Sequence, residues 1–250
     1  MSEQRLQQAS SWTRRREEKE RRMQAVMRWM SGPVLPTDKT VEALEALVVA
    51  GDRIVLEGDN QKQADFLSRS LVKVDAKKIH DLHLIISSIS RPEHLTLFEL
   101  GIAKKVDFAF AGPQSLRVAQ LLEDGVLEIG AIHTYVELYA RLLVDLIPNV
   151  VLVCAEQADR EGNLFTGPNT EDTPVIVEAA AFHDAIVIVQ VNEIVEKTAS
   201  RRYPWVLDRY RCSSRQAVRP RTSFHARSPT HQRSPDPDCD DGDSRRVRAA

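Results

Sequence analysis

The chain of 250 residues contains no apolar run approaching the roughly 20 residues that a membrane-spanning helix needs. Its N-terminus, MSEQRLQQASSWTRRREEKERRMQ, lacks the apolar stretch of a secretory signal. Both gaps point to the cytoplasm and away from a membrane. Cysteine is scarce: Cys154, Cys212 and Cys239 are too few and too scattered for a disulfide framework or a zinc ligand set. That usage fits a reducing compartment and predicts no metal. Walker, GxGxxG and GxSxG patterns are missing too, which removes the sequence warrants for a P-loop, a dinucleotide fold or a serine hydrolase.

Net charge is missing globally rather than locally. The net charge is −2, yet residues 198–250 hold 12 Arg and 6 Asp with no Lys, no Glu, no Ile and one Leu. Residues 1–197 then carry 22 basic and 30 acidic side chains, a balance that disfavours nucleic acid as a partner. Three segments follow: a charged helix and linker over 1–36, a folded body over 37–197, and an Arg-rich, disordered tail over 198–250. In the first, Trp12, Met23, Val26, Met27 and Met30 recur at helical spacing, predicting a helix laid on the body. The mixed-sign run Arg14–Arg22 reads as a solvated face, and Gly32, Pro33 and Pro36 break the chain after it.

From Thr40 onward, short apolar runs alternate with amphipathic stretches. Predicted strands cover 53–57, 82–87, 106–111, 127–132, 150–155 and 185–191; predicted helices cover 61–74, 93–104, 114–123, 135–146 and 175–182. Crossovers of that length predict an α/β fold, a mainly parallel open sheet with helices on both faces. Ligands of such sheets bind beyond the carboxyl ends of the strands, so the loops beginning at Gly58, Gly112, His133 and Glu156 are the places to look.

The first loop, EGDNQKQADFL, reads either as a capped strand-to-helix turn or as a ligand loop offering helix N-terminal amides. The second, AEQADREGNLFTGPNTEDTP, is long and polar for a connection. Asp159, Gly162 and Asn163 predict one tight turn, and Gly167, Pro168 and Asn169 another. Asp172 or Thr173 is then the expected cap of a helix with Pro174 in its first turn. His80 and His83 lie around a strand on opposite faces, a poor metal pair. His133, just past a strand end, is either a structural or a crevice histidine, and Cys154 reads as an inert buried thiol.

These loops and their flanking strands, EGDNQKQADFL, HDLHLIISSISRPEHLTLFELGIAKKVDFAFAGPQ, LEIGAIHTYVELYARLLVDLIPNV and ADREGNLFTGPNTEDTP followed by AIVIVQVNEIVE, resemble the α subunit of malonate decarboxylase from about Trp12 to Lys197. More loosely, they resemble the coenzyme A transferase superfamily. The resemblance implies a coenzyme A transferase-like N-terminal domain. It also implies that the thiol of an acyl carrier protein passes from acetate to malonate, leaving decarboxylation to sibling subunits. The implied partners are the carrier protein, those subunits, malonate and acetate. No cofactor is implied to bind directly, the thiol belonging to a coenzyme-A-derived prosthetic group on the carrier. By the same analogy Gly58, Asn60, Gln61 and Gln63 line the acyl end, with glycine at 58 allowing close backbone approach. Asn163, Gly167 and Asn169 shape the opposite wall, and the catalytic residue stays unassigned.

The resemblance stops after Lys197, where the family continues through a second sheet domain. A truncation is therefore expected, by a frameshift near Thr198. Suitable codons for Thr198–Arg211, read one base later, give the protein-like LPRVDIPGSWIDIV. Without that domain the chain is expected not to transfer by itself. Two rivals stay open: an interaction module that docks without catalysis, and a sensor or sugar-phosphate isomerase on a similar sheet.

Overall fold

The computed structural model describes residues 3–58, 63–167 and 172–196, with side chains from Trp12 onward. The expected tail, residues 198–250, lies outside the described residues, as do Asn60, Gln61 and Asn169.

The apolar runs become strands β1 Arg53–Leu56, β2 Leu82–Ser88, β3 Ala103–Phe110, β4 Glu128–Ile132, β5 Val150–Asp159, β6 Leu164–Phe165 and β7 Ile186–Val195. The amphipathic stretches become helices α1 Glu3–Val26, α2 Thr40–Leu47, α3 Asp65–Leu71, α4 Pro92–Glu99, α5 Ser115–Glu123, α6 Tyr135–Val144 and α7 Thr173–Phe182. Strand order is β4-β3-β2-β1-β5, with β7 on the far side of β5 and all of these parallel; β6 alone runs antiparallel, against the end of β5. A single register row crosses the sheet through Ile129, Val106, Leu84, Ile54, Val150 and Ile186.

Alternation along each strand supplies two cores. Ile54, Leu56, Leu84, Ile86 and Val106 face a layer that includes Leu44, Leu67, Leu95 and Val118 from α2 to α5. Val55, Ile85, Val151 and Val153 face Leu138 and Leu142 of α6 and Ile176 and Ala180 of α7. This is the expected sheet covered on both faces.

Element ends shift for identifiable reasons. The helix expected over 93–104 stops at Glu99 because Gly101 adopts φ of 72° and the Ile102 N–H turns back to the Leu97 carbonyl, releasing Ala103 into β3. Strand β5, expected to end at Ala155, continues to Asp159 because β7 pairs with it through Val195 and β6 joins at Gln157 and Ala158. The connection expected from Glu156 therefore begins only after Asp159.

Helix α1 lies on the body, as its spacing predicts, with Val26 buried and Met23 packed against the first core. Its charged run is not simply solvated. Arg15 donates to the carbonyls of His183 (2.9 Å) and Pro148 (2.5 Å), and Arg22 forms an ion pair with Asp52 at 2.5 Å, both side chains largely buried. Among the described residues no helix is long and apolar enough to cross a membrane.

Candidate functional site

The direction of chain progression reverses at β1: β2, β3 and β4 follow on one side, β5 and β7 on the other. Open α/β sheets form their crevice at such a switch point, beyond the strand carboxyl ends. The segments leaving β1 and β2 meet there, and the start of α7 reaches the end of β1 through Thr173 and Glu57.

At the end of β1, Gly58 pairs with Gln63 in an isolated antiparallel bridge, and the Ala64 N–H donates to the Glu57 carbonyl at 3.0 Å. The glycine is required by packing. A Cβ at position 58 would lie 2.4 Å from the Ser88 carbonyl oxygen, 2.7 Å from Ile86 Cγ2 and 3.0 Å from His94 Cε1. The space it preserves is thus occupied by β2 and α4, a different reason from the approach to a thioester that the resemblance implies.

The β2–α4 connection grips this turn with residues that sequence reasoning passed over. Ser90 Oγ donates to the Gly58 carbonyl at 2.9 Å, and Arg91 donates to Gln63 Oε1 at 3.1 Å while holding Glu93. Beneath them His94 is fully buried, and among the described residues neither ring nitrogen has a hydrogen-bond partner. Burial, aided by the Arg91 charge, lowers its pKa to about 4, so the imidazole is neutral near pH 7. No motif marks Ser90, Arg91 or His94; only the fold brings them to Gly58.

On the opposite sheet face lies a buried polar network. Glu57 is wholly inaccessible; its Oε2 accepts the Cys154 N–H at 2.6 Å and its Oε1 accepts the Thr173 hydroxyl. Asp172, 2% exposed, accepts the hydroxyls of Ser87 and Tyr139. Pro174 does sit in the first turn of α7, but neither expected cap serves there: Asp172 and Thr173 turn their side chains to other elements.

Of the two turns expected in the second loop, the first forms. Asp159 Oδ1 accepts the N–H groups of Glu161 and Asn163, both at 2.9 Å, closing the tight turn between β5 and β6. Asn163 donates its side-chain amide to Asp159 Oδ2 at 2.6 Å, so that group is committed to the turn. Gly167, at φ of 77°, lies over Glu156, whose Oε2 would be 2.6 Å from an added Cβ.

His133 belongs to a separate cluster under α6. Its ring is buried, with Nε2 2.7 Å from Asp107 Oδ1 and Nδ1 3.1 Å from Glu137 Oε1. His83 Nε2 lies 2.5 Å from the other Asp107 oxygen. Burial works to raise the Asp107 pKa, but hydrogen bonds from His83 and His133 outweigh it and hold the carboxyl below its ordinary range. His80 is exposed and faces Asp81 instead. Among the described residues no group of three or more His, Cys, Asp or Glu is placed to hold a metal ion. Of the eight expected residues, Gly58 and Gln63 meet directly, Asn163 and Gly167 belong to the loops that follow β5 and β6, and His133 lies buried in this cluster.

Comparisons with known proteins agree on one family. The model of the family described as "Malonate decarboxylase, alpha subunit, transporter" matches residues 11–206. The chain is 50% identical over 204 residues to the acetyl-S-ACP:malonate ACP transferase of Malonomonas rubra, covering 80% of this chain and 37% of the relative. It is 68% identical, with a TM-score of 0.73, to a chain of a Pseudomonas malonate decarboxylase hetero-tetramer solved with malonate, covering 74% of this chain and 34% of that one. The chain thus spans about a third of the length of these relatives. Glutaconate coenzyme A-transferase from Acidaminococcus fermentans, at 17% identity and a TM-score of 0.51, covers 67% of this chain and 70% of that one, and shares the fold alone. With the family model matched across most of the described body, the chain belongs to the malonate decarboxylase α-subunit family.

Proposed function

We propose that this chain is the acyl-exchange subunit of a cytoplasmic malonate decarboxylase, converting acetyl-S-carrier protein and malonate to malonyl-S-carrier protein and acetate. The observation that carries this reading is the 50% identity over 204 residues to a protein named for that transfer. One oxygen of the reacting malonate carboxylate leaves with acetate, so no water is consumed. Stray water would hydrolyse the thioester, so the site has to exclude it during transfer.

The carrier protein and sibling subunits are the proposed partners, a reading supported by the hetero-tetrameric assembly of the Pseudomonas relative. The carrier's coenzyme-A-derived arm is proposed to enter beside Gly58 and Gln63, with Asn60 and Gln61 as further arm-binding residues. Asn163, Gly167 and Asn169 are proposed as the facing wall. His133, whose ring is held between Asp107 and Glu137, stands outside this arm-binding set.

The test is reconstitution with labelled malonate. Purified chain, acetyl-carrier protein and the sibling subunits should together form malonyl-carrier protein, and omission of the chain should abolish it. A stable complex that forms without any transfer would show a docking module and overturn the proposal.

A further inference from the structure

We propose that Glu57, Asp172 and Thr173 are positioning residues that fix the carboxyl end of β1 against the start of α7 at the crevice edge of the sheet; this rests on the transferase reading above. Glu57 directly precedes Gly58, and Asp172 and Thr173 directly follow the second loop. The hydrogen bond between Glu57 and Thr173 therefore ties the exit of one loop's strand to the entry of the other loop's helix, across 116 residues of sequence.

Three observations favour positioning over ordinary core filling. First, two carboxylates are buried here, which is costly unless their lone pairs are satisfied. Both are engaged by donors from several elements: Cys154 on β5 and Thr173 on α7 for Glu57, Ser87 on β2 and Tyr139 on α6 for Asp172. Second, Asp172 stands at the N-cap of α7 without capping it, and it and the next residue, Thr173, turn their side chains to other strands and helices. Third, Glu57 follows Val55 on the strand face that carries the second apolar core, yet it accepts from the Cys154 N–H and the Thr173 hydroxyl, donors that an aliphatic residue could not serve. Hydrogen bonds specify distance and direction in a way that apolar contact does not. Misplacement of a reacting group by about 1 Å can cost about 100-fold in rate, so a fixed spacing between the end of β1 and the start of α7 has a direct kinetic consequence.

The test uses Thr173→Val, which removes the hydroxyl at nearly constant shape, and Thr173→Ser, which retains it. In the reconstituted complex Thr173→Val should lower kcat about tenfold, the effect of losing one buried hydrogen bond, with Thr173→Ser close to wild type. In the isolated 250-residue chain, the amide resonances of Gly58 and Gln63 should shift in Thr173→Val and stay in place in Thr173→Ser. Unshifted Gly58 and Gln63 resonances, or a serine variant that behaves like valine, would overturn the proposal whether or not the complex transfers. Absence of transfer by the wild type, with the resonance shifts present, would instead count against the transferase reading alone.

Discussion

His94 illustrates what a single residue can contribute. A buried polar group without a partner costs about 1–3 kcal/mol, and a leucine of similar volume would avoid that cost. The pKa near 4, below the ordinary 6.5, has a defined sign. The unfolded chain takes up a proton near pH 6.5 and the folded chain only near 4, so stability is full above 6.5 and falls as pH drops between the two values. The loss approaches about 3 kcal/mol at the lower limit. Urea unfolding at pH 7, 5.5 and 4.5 should show that slope in the wild type and a flatter one in His94→Leu, which should also be the more stable at pH 7. A variant that is less stable at pH 7 and keeps the slope would contradict the burial seen here. Gly58 teaches a related lesson. Its glycine looked in the sequence like room for a ligand, whereas in the fold it is room for the Ser88 carbonyl and the His94 ring.

Elements were largely legible because periodicity is local. The alternation of apolar runs with amphipathic stretches located all of the parallel strands, and errors gathered at their ends, where partners decide. β5 outlasted its apolar run because β7 and β6 pair with the residues beyond it, Gln157, Ala158 and Asp159. Helix α1 was legible as a helix but not in its attachment. The arginines that looked solvated in a mixed-sign run include two that fasten it, Arg15 and Arg22. Since Asp52 is 6% exposed, removing its cation leaves a buried charge uncompensated. Arg22→Ala should therefore cost about 3 kcal/mol and expose α1 to limited proteolysis before the rest of the body, whereas Arg21→Ala, on the exposed side, should do neither. Equal protease resistance in Arg22→Ala and wild type would show that the helix is held by its apolar face alone.

At the scale of the whole molecule, the register row through Ile129, Val106, Leu84, Ile54, Val150 and Ile186 joins six strands into one layer. Leu152 stands one pleat further along, paired with Leu56 and fully buried between β1 and β7. Leu152→Ala should cost about 2–5 kcal/mol, a large share of the about 5–15 kcal/mol that a domain of this kind has in total. Chemical denaturation should show a lowered midpoint with an unchanged slope, and a loss below about 1 kcal/mol would mean the site collapses around the gap. Membership of the malonate decarboxylase α-subunit family and the α/β class were both determined by the sequence alone, since motif order and apolar period survive without coordinates. So was the tight turn at Asp159 to Asn163, because Asx and glycine chemistry acts over four residues. Tertiary structure alone decided that Ser90, Arg91 and His94 support Gly58, that Glu57 reaches Thr173, and that His133 turns inward to Asp107. Each of those pairings joins residues from separate elements, and the distance between two side chains in a sheet depends on strand order and register. Neither quantity is written in any local stretch of the chain.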